Sequence, residues 1–231
     1  MSDFVFRVGA SGALELRGDF EGLYKSESDP WGQSGSGDNY SMNEFYRVSR
    51  QIVCDRVCIA VRELSSRYDP VGVCEVGSGS GYLTSMLSDR VPDAAITGVD
   101  VSQAAVDKAR LLFPRVRFET HDILRSKLGF RVNVVVLSNL LWYVIHDLRG
   151  LTKNIVSGFD RGGAGIIIVQ NALFKDAQAY GADVVSSIGS MLDVFLAHIG
   201  EFAHVTAATT EFRSSFDMQY HFGMVSINFT T

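Results

Sequence analysis

The residues of this chain best suited to chemistry on a bound ligand are three glycines alternating with serines, Gly77-Ser78-Gly79-Ser80-Gly81, between Val73-Cys74-Glu75-Val76 and Tyr82-Leu83-Thr84. A buried apolar run enters this turn and a helical pattern leaves it. Glycines let the backbone turn tightly and approach a ligand with no Cβ in the way. The dinucleotide fingerprint wants its third glycine where Tyr82 stands, and no Gly-Lys-Ser/Thr follows, so neither a pyrophosphate cradle nor a Walker loop is a good match. Two carboxylates extend the constellation. Asp100 closes Ile96-Thr97-Gly98-Val99, where it can accept from both hydroxyls of a ribose, and Asp122 follows Glu119-Thr120-His121, placed to accept from an exocyclic amine such as adenine N6. Taken singly, each aspartate is more often a turn residue or helix cap; three strand tips in register favour a nucleoside site.

The elements that must position these residues follow from hydrophobic period. Phe45, Val48, Ile52, Val53, Val57, Ala60, Val61 and Leu64 share one face of a helix running from Asn43 to about Arg67. Beyond Pro70, apolar runs at Val71–Val76, Ala95–Val99, Val116–Glu119, Val132–Ser138 and Gly165–Gln170 alternate with helical stretches at Gly81–Asp89, Ser102–Phe113 and His146–Phe159. That alternation predicts an α/β architecture, a parallel sheet with helices on both faces. A helix over about Ala182–Ile199 and two β-rich runs, Phe202–Thr209 and Gln219–Phe229, predict an antiparallel addition at the sheet edge. Residues 1–42, rich in Gly, Ser, Asp and Asn, read as a loop. Trp31, Tyr24 and Tyr40 within it suit a lid over a site, or a loop pinned to the body by aromatics.

The whole chain, 231 residues with 46% hydrophobic side chains, is long enough for one full core without disulfides or structural metal. Its net charge of −5 disfavours general binding to nucleic acid and makes a small molecule the default partner. Cys54, Cys58 and Cys74 do not form a secreted disulfide framework, no run approaches the roughly 20 apolar residues that span a bilayer, and the N-terminus lacks a signal pattern. The expectation is a cytoplasmic protein away from the membrane. Cys54 and Cys58 lack a matching ligand pair, and His121, His198, His204 and His221 have no metal-ligand spacing, so no metal is expected.

Over roughly residues 43 to 170 the glycine turn and both aspartates resemble the class I S-adenosylmethionine-dependent methyltransferases. The resemblance implies a Rossmann-like, mostly parallel seven-stranded sheet with an antiparallel terminal strand, and residues 43–231 as the cofactor-binding domain behind a lid of residues 1–42. It implies that Glu75 organises the methionine moiety above Gly77, Ser78, Gly79 and Gly81. Asp100 and Val101 would serve the ribose, Asp122 and Ile123 the adenine, and Ser138 and Asn139 would stand nearest the methyl group, with Arg47 pairing with the cofactor carboxylate. A narrower resemblance, to nodulation-type N-methyltransferases that modify chito-oligosaccharides, rests on Tyr24 through Asp29-Pro30-Trp31, on Tyr40 and Phe45-Tyr46-Arg47, on Leu140 to Val144 and on Tyr180-Gly181. It implies a glycan or small-molecule acceptor, methylated at an amine.

Methyl transfer is an in-line displacement, and holding acceptor and methyl together is most of the protein's task. His146, Tyr143 and Asn139 are the candidates to act as base or to position the acceptor, although His146 also reads as a helix-start residue and Tyr143 as packing. Trp31, Tyr40 and Trp142 are candidate acceptor contacts. Asn139-Leu140-Leu141-Trp142 replaces the Asn-Pro-Pro-aromatic tetrapeptide of amino-methylating DNA enzymes, which argues against a flipped base. A small-molecule O-methyltransferase, a non-catalytic cofactor-binding module and a nicotinamide oxidoreductase are the competing readings.

Overall fold

The computed structural model describes residues 3–10, 12–35, 40–175, 180–214 and 220–231, with the side chains of Tyr40 and Ser41 left aside. The chain runs β1 (Phe6–Val8), β2 (Leu14–Leu16), α1 (Phe20–Ser26), α2 (Tyr40–Leu64), β3 (Gly72–Val76), α3 (Tyr82–Arg90), β4 (Ala95–Asp100), α4 (Gln103–Leu112) and β5 (Arg117–Thr120). It continues through β6 (Val134–Ser138), α5 (Leu141–Val144), a single 3₁₀ turn, α6 (Leu148–Val156), β7 (Ala164–Phe174), α7 (Ile188–Gly200), β8 (His204–Ser214) and β9 (Tyr220–Thr230). Among the described residues no helix is long and apolar enough to cross a membrane.

Seven strands form one sheet in the order β5-β4-β3-β6-β7-β9-β8. The pairs β3–β4, β4–β5, β3–β6 and β6–β7 are parallel, whereas β9 is antiparallel to both β7 and β8. The expected terminal pair is therefore present, with the last strand inserted between β7 and β8. The chain winds outward from β3 in both directions, so the crevice between β3 and β6, beyond their carboxyl ends, is the switch point where open α/β sheets bind ligands.

The β3 and β6 sequences are almost uninterrupted apolar runs because both faces of these strands are covered. On one face Ile52, Val53, Val57, Ala60 and Leu64 of α2 and Leu83 and Leu87 of α3 pack over Val73, Val134, Val136 and Ile168. On the other face α6 and α7 bring Leu151, Ile155, Met191, Phe195 and Ile199 against Val135, Leu137, Ile167 and Ile227. Each such fully buried aliphatic side chain is worth about 1.5–3 kcal/mol. Arg56 ties α2 to the sheet through Ser226 Oγ at 2.8 Å while pairing with Glu63.

The N-terminal segment departs from the sequence expectation of a loop. Phe6–Val8 and Leu14–Leu16 pair as an antiparallel hairpin, and α1 follows with the Asp19 side chain capping Gly22 N at 2.9 Å. Leu23 and Tyr24 of α1 are buried. The composition of the segment hid three short elements, each held by tertiary contacts that outweigh local propensity. Residues 36–39 of the Gly/Ser stretch and the Tyr40 side chain lie outside the described residues.

Candidate active site at the carboxyl ends of the parallel strands

The glycine turn leaves β3 and is pinned to β4, with Gly77 N and Ser78 N both donating to Val99 O at 2.8 and 3.0 Å. Gly77, Gly79 and Gly81 all have positive φ, at 77°, 53° and 84°. All three are also sterically obliged, Gly81 by the Phe118 ring. A Cβ at Gly77 would come within 2.7 Å of Leu140 Cδ1, and one at Gly79 would collide with Tyr24 Oη. The turn is thus pressed between the β6 tip and the N-terminal cap.

Asp100, at the end of β4, is buried, and its two carboxylate oxygens accept from Gly79 N at 2.8 Å and Ser102 N at 2.9 Å. Burial raises its pKa, opposed by those backbone N–H groups. Val101 beside it is half exposed. Glu75 is also buried, and it accepts from the Thr84 hydroxyl in the first turn of α3. Burial pushes its carboxyl up to about 8, with Thr84 and the nearby Arg50 guanidinium acting in the opposite sense. Asp122 closes a local turn, accepting from Leu124 N at 3.0 Å and pairing with Arg125 at 3.1 Å. Ile123 next to it is buried, its carbonyl accepting from Asn154 Nδ2 at 2.7 Å.

At the β6 tip Asn139 takes a left-handed backbone at φ 54°. Gln170, fully buried on β7, clamps this tip. Its carbonyl accepts from Asn139 N at 2.8 Å, and its Oε1 accepts from Ser138 Oγ at 2.9 Å. Gln170 was invisible to sequence reasoning because it stands inside an apolar strand run. Trp142 donates to Ala172 O at 3.2 Å. Tyr143 sits in an aromatic group, its ring centroid 5.2 Å from Phe20, 5.9 Å from Trp31 and 6.1 Å from Phe6. Burial pushes its phenol up to about 12. His146 is exposed at the rim, 5.5 Å from the Tyr180 ring.

The cap closes from the other side. Trp31 Nε1 donates to Tyr24 Oη at 3.0 Å, and Asp29 folds the connecting loop by accepting from Gln33 N and Ser34 N, each at 2.8 Å. Arg47 forms a two-pronged pair with Glu44, Nε to Oε2 at 2.6 Å. One turn later Arg50 lies inward, donating to Gln33 O at 2.7 Å with its guanidinium 4.9 Å from the Tyr46 ring and 5.4 Å from that of Tyr82. The two arginines, three residues apart, lie side by side on one face of α2, and Arg50 is the one that reaches Gln33 and the Tyr82 ring at the start of α3. Of the acceptor-side candidates the structure gathers Trp31, Tyr143 and Asn139 around the β6 tip and leaves His146 outside.

Three buried polar atoms at this place, Ser78 Oγ, Ser80 Oγ and Gln33 Oε1, have no hydrogen-bond partner among the described residues. Orphaned buried groups are rare enough to require a reason, and a polar ligand over the turn is one. They fit a cofactor rich in hydroxyl, amino and carboxylate groups.

The sheet has the Rossmann-like fold of the class I S-adenosylmethionine-dependent methyltransferases. Residues 73–163 match the family model described as a methyltransferase domain. Among curated proteins it is similar to a malonyl-[acyl-carrier protein] O-methyltransferase of Acetivibrio thermocellus, 34% identical over 39% of this chain and 32% of that protein. It is also similar to a trans-aconitate 2-methyltransferase of Rhodopseudomonas palustris, 32% identical over 41% of this chain and 37% of that protein. The chain thus matches only about a third of the length of these relatives. Among solved structures, magnesium protoporphyrin IX methyltransferase of Synechocystis with bound S-adenosylmethionine superposes with a TM-score of 0.63 at 20% identity, covering 92% of this chain and 95% of that one. The N-methyltransferase NodS of Bradyrhizobium japonicum gives 0.57 at 17% identity, covering 79% and 97%.

Proposed function

We propose that the chain transfers the methyl group of S-adenosylmethionine to a small-molecule acceptor that needs no general base, with an amine nitrogen as the leading choice. The observation that carries this reading is the neutrality of the β6 tip: Asn139, Ser138 and Gln170 are uncharged, and the Tyr143 phenol, pushed up to about 12, stays protonated near neutral pH. A phenol of that kind donates or packs, and among the described residues at this tip an alcohol acceptor would find no group to take its proton. An amine attacks once neutral in solution, and positioning then suffices. The bound cofactor supplies an electrophilic methyl on a sulfonium.

In this reading Asp100 holds the ribose through the lone pairs its two N–H donors leave over, with Val101 beside it. Asp122 and Ile123 flank the adenine, and Glu75 holds the loop and α3 in register beneath the methionine end. Arg50, which lies inward, takes the carboxylate-pairing role expected of Arg47. Trp31, Trp142 and Tyr143 shape the acceptor space, and residues 1–42 act as a cap over the domain of residues 43–231. The resemblance to nodulation-type enzymes extends the acceptor to amino sugars and other glycan amines.

An already ionised carboxylate acceptor also needs no base, and the match to a protein named as an O-methyltransferase favours it as the second reading. A methyl-transfer screen of amino sugars, deacetylated chito-oligomers and small amines, with carboxylate and hydroxyl analogues in parallel, separates the two by mass of product. Amine acceptors should react with a rate that rises with pH until the acceptor is deprotonated, and His146→Ala should leave that profile in place. Turnover of neutral alcohols alone would overturn the base-free account.

A further inference from the structure

Gln170 is fully buried inside β7, an apolar strand of 11 residues. Ile168 and Ala172, two residues to either side and therefore on the same face, belong to the apolar core under α2. An aliphatic side chain would fill the place of Gln170 at no polar cost, so packing does not require the amide. A primary amide is costly to bury unless its polar atoms find partners. Among the described residues both side-chain hydrogen bonds of Gln170 go to the β6 tip: Oε1 accepts from Ser138 Oγ at 2.9 Å, and Nε2 donates to Asn139 Oδ1 at 3.5 Å. Its backbone carbonyl accepts from Asn139 N at 2.8 Å. Among the described residues Asn139 alone combines a side chain with a positive φ. Such a backbone persists where its surroundings over-determine it, and it clusters at functional sites.

We propose that Gln170 is a positioning residue for methyl transfer, aiming the polar groups of the β6 tip at the methyl that is transferred. The proposal rests on the methyltransferase reading, in which Ser138 and Asn139 stand nearest that methyl. The Ser138 hydroxyl has one hydrogen, and Gln170 Oε1 takes it, so only oxygen lone pairs remain for other partners. The Gln170 amide holds Asn139 Oδ1 by one of its lone pairs and leaves the other free. Lone pairs favour positive charge, which a sulfonium and its methyl carry. The tip bears no charge of its own, so the orientation of these dipoles sets its field. Without Gln170 the Ser138 hydroxyl rotates, and its hydrogen faces the positive group as readily as a lone pair does. The resulting loss is confined to ligands that are positively charged at that point.

The test is calorimetric titration of the full chain with two ligands. S-adenosylhomocysteine has a neutral sulfur, and sinefungin has an ammonium-bearing carbon in place of the methylsulfonium. Wild type, Gln170→Met, Ser138→Ala and the double variant are compared, each checked by melting. Gln170→Met should weaken sinefungin at least tenfold, while the affinity for S-adenosylhomocysteine stays within about twofold of wild type. Ser138→Ala should lower the same ratio at least fivefold. The double variant should be no more than about twofold worse than Gln170→Met, because both changes remove one oriented group. An unchanged ratio in Gln170→Met would overturn the proposal, as would equal loss of both ligands, the mark of a merely structural role. Losses that multiply in the double variant would also overturn it, since Gln170 would then not act through Ser138. If Gln170→Met is unfolded at the assay temperature, an unchanged ratio in Ser138→Ala overturns the proposal instead. Failure of wild type to bind either ligand would overturn the methyltransferase reading, and the proposal with it.

Discussion

Glu75 and Asp100 are buried carboxylates at the two ends of one turn, and they differ in what answers the charge. Asp100 receives two backbone N–H groups, 2.8 and 2.9 Å away, whereas Glu75 has the Thr84 hydroxyl and Arg50 at longer range. Burial dominates at both, raising the Asp100 pKa and taking that of Glu75 from 4.5 to about 8. Between those values the folded state holds a proton that the unfolded chain has released. The contribution of Glu75 to stability is full below about 4.5 and declines as the pH rises to about 8. Glu75→Gln keeps an acceptor for Thr84 and carries no charge at any pH. Its stability relative to wild type should increase between pH 5 and pH 8, by up to a few kcal/mol at ~1.4 kcal/mol per unit of pKa. Urea denaturation at the two pH values measures this, and parallel behaviour of the two proteins would show that the carboxyl is not held protonated.

The same scale shows what the sequence could and could not reveal. The glycines and the two aspartates were legible because their spacing follows from strand geometry and turn chemistry. Arg47 and Arg50 lie on one face of one predicted helix, and only how that helix packs decides that Arg47 pairs with Glu44 while Arg50 reaches Gln33 and the rings of Tyr46 and Tyr82. Gln170 and Tyr24 act through neighbours distant in the chain, 31 residues away for Asn139 and 55 for Gly79, and no local pattern announces such contacts.

Among the elements, α1 has a role greater than its seven residues suggest. Glu21 reaches across to α4, accepting from Ser102 Oγ at 2.8 Å and from Ala104 N at 3.1 Å, at the helix end where a negative charge is favoured. Those bonds hold its carboxyl near a pKa of about 2, so the latch is complete above about 4.5 and is lost only as the pH falls toward 2. Glu21→Ala should free α1 from α4. Amides of residues 20–26 should exchange faster with solvent while those of β3 and β6 do not change, and S-adenosylhomocysteine should bind several-fold more weakly because Tyr24 no longer stands over Gly79. Exchange in α1 equal to that of wild type would show that other contacts hold the cap. The hairpin and α1 escaped a reading by periodicity because three-residue strands and a two-turn helix are too short to display a period. The strands β3 to β7 were legible for the opposite reason: each is an apolar run bounded by turn residues, and all but β5 are followed by a helix.

For the molecule as a whole, the sheet order β5-β4-β3-β6-β7-β9-β8 separates two tasks. In the proposed function strands β3, β4 and β5 carry the residues assigned to the cofactor, while the β6 tip, Gln170 of β7 and the N-terminal segment bound the acceptor side. The first group follows from the alternation of strands and helices, which is why the sequence exposed it. The second depends on how segments far apart in the chain converge, and the names of distant relatives do not fix it. The central claim is that one S-adenosylmethionine site lies over the glycine turn, with Asp100 as its ribose anchor. Calorimetric titration with S-adenosylhomocysteine tests it most directly, on wild type and on an Asp100→Ala variant shown by melting to be folded. We predict one-site binding to wild type and at least a tenfold loss in the variant, as expected for hydrogen bonds to a charged group worth about 1.5–3 kcal/mol. No binding to wild type, or equal affinity in the folded variant, would contradict the account.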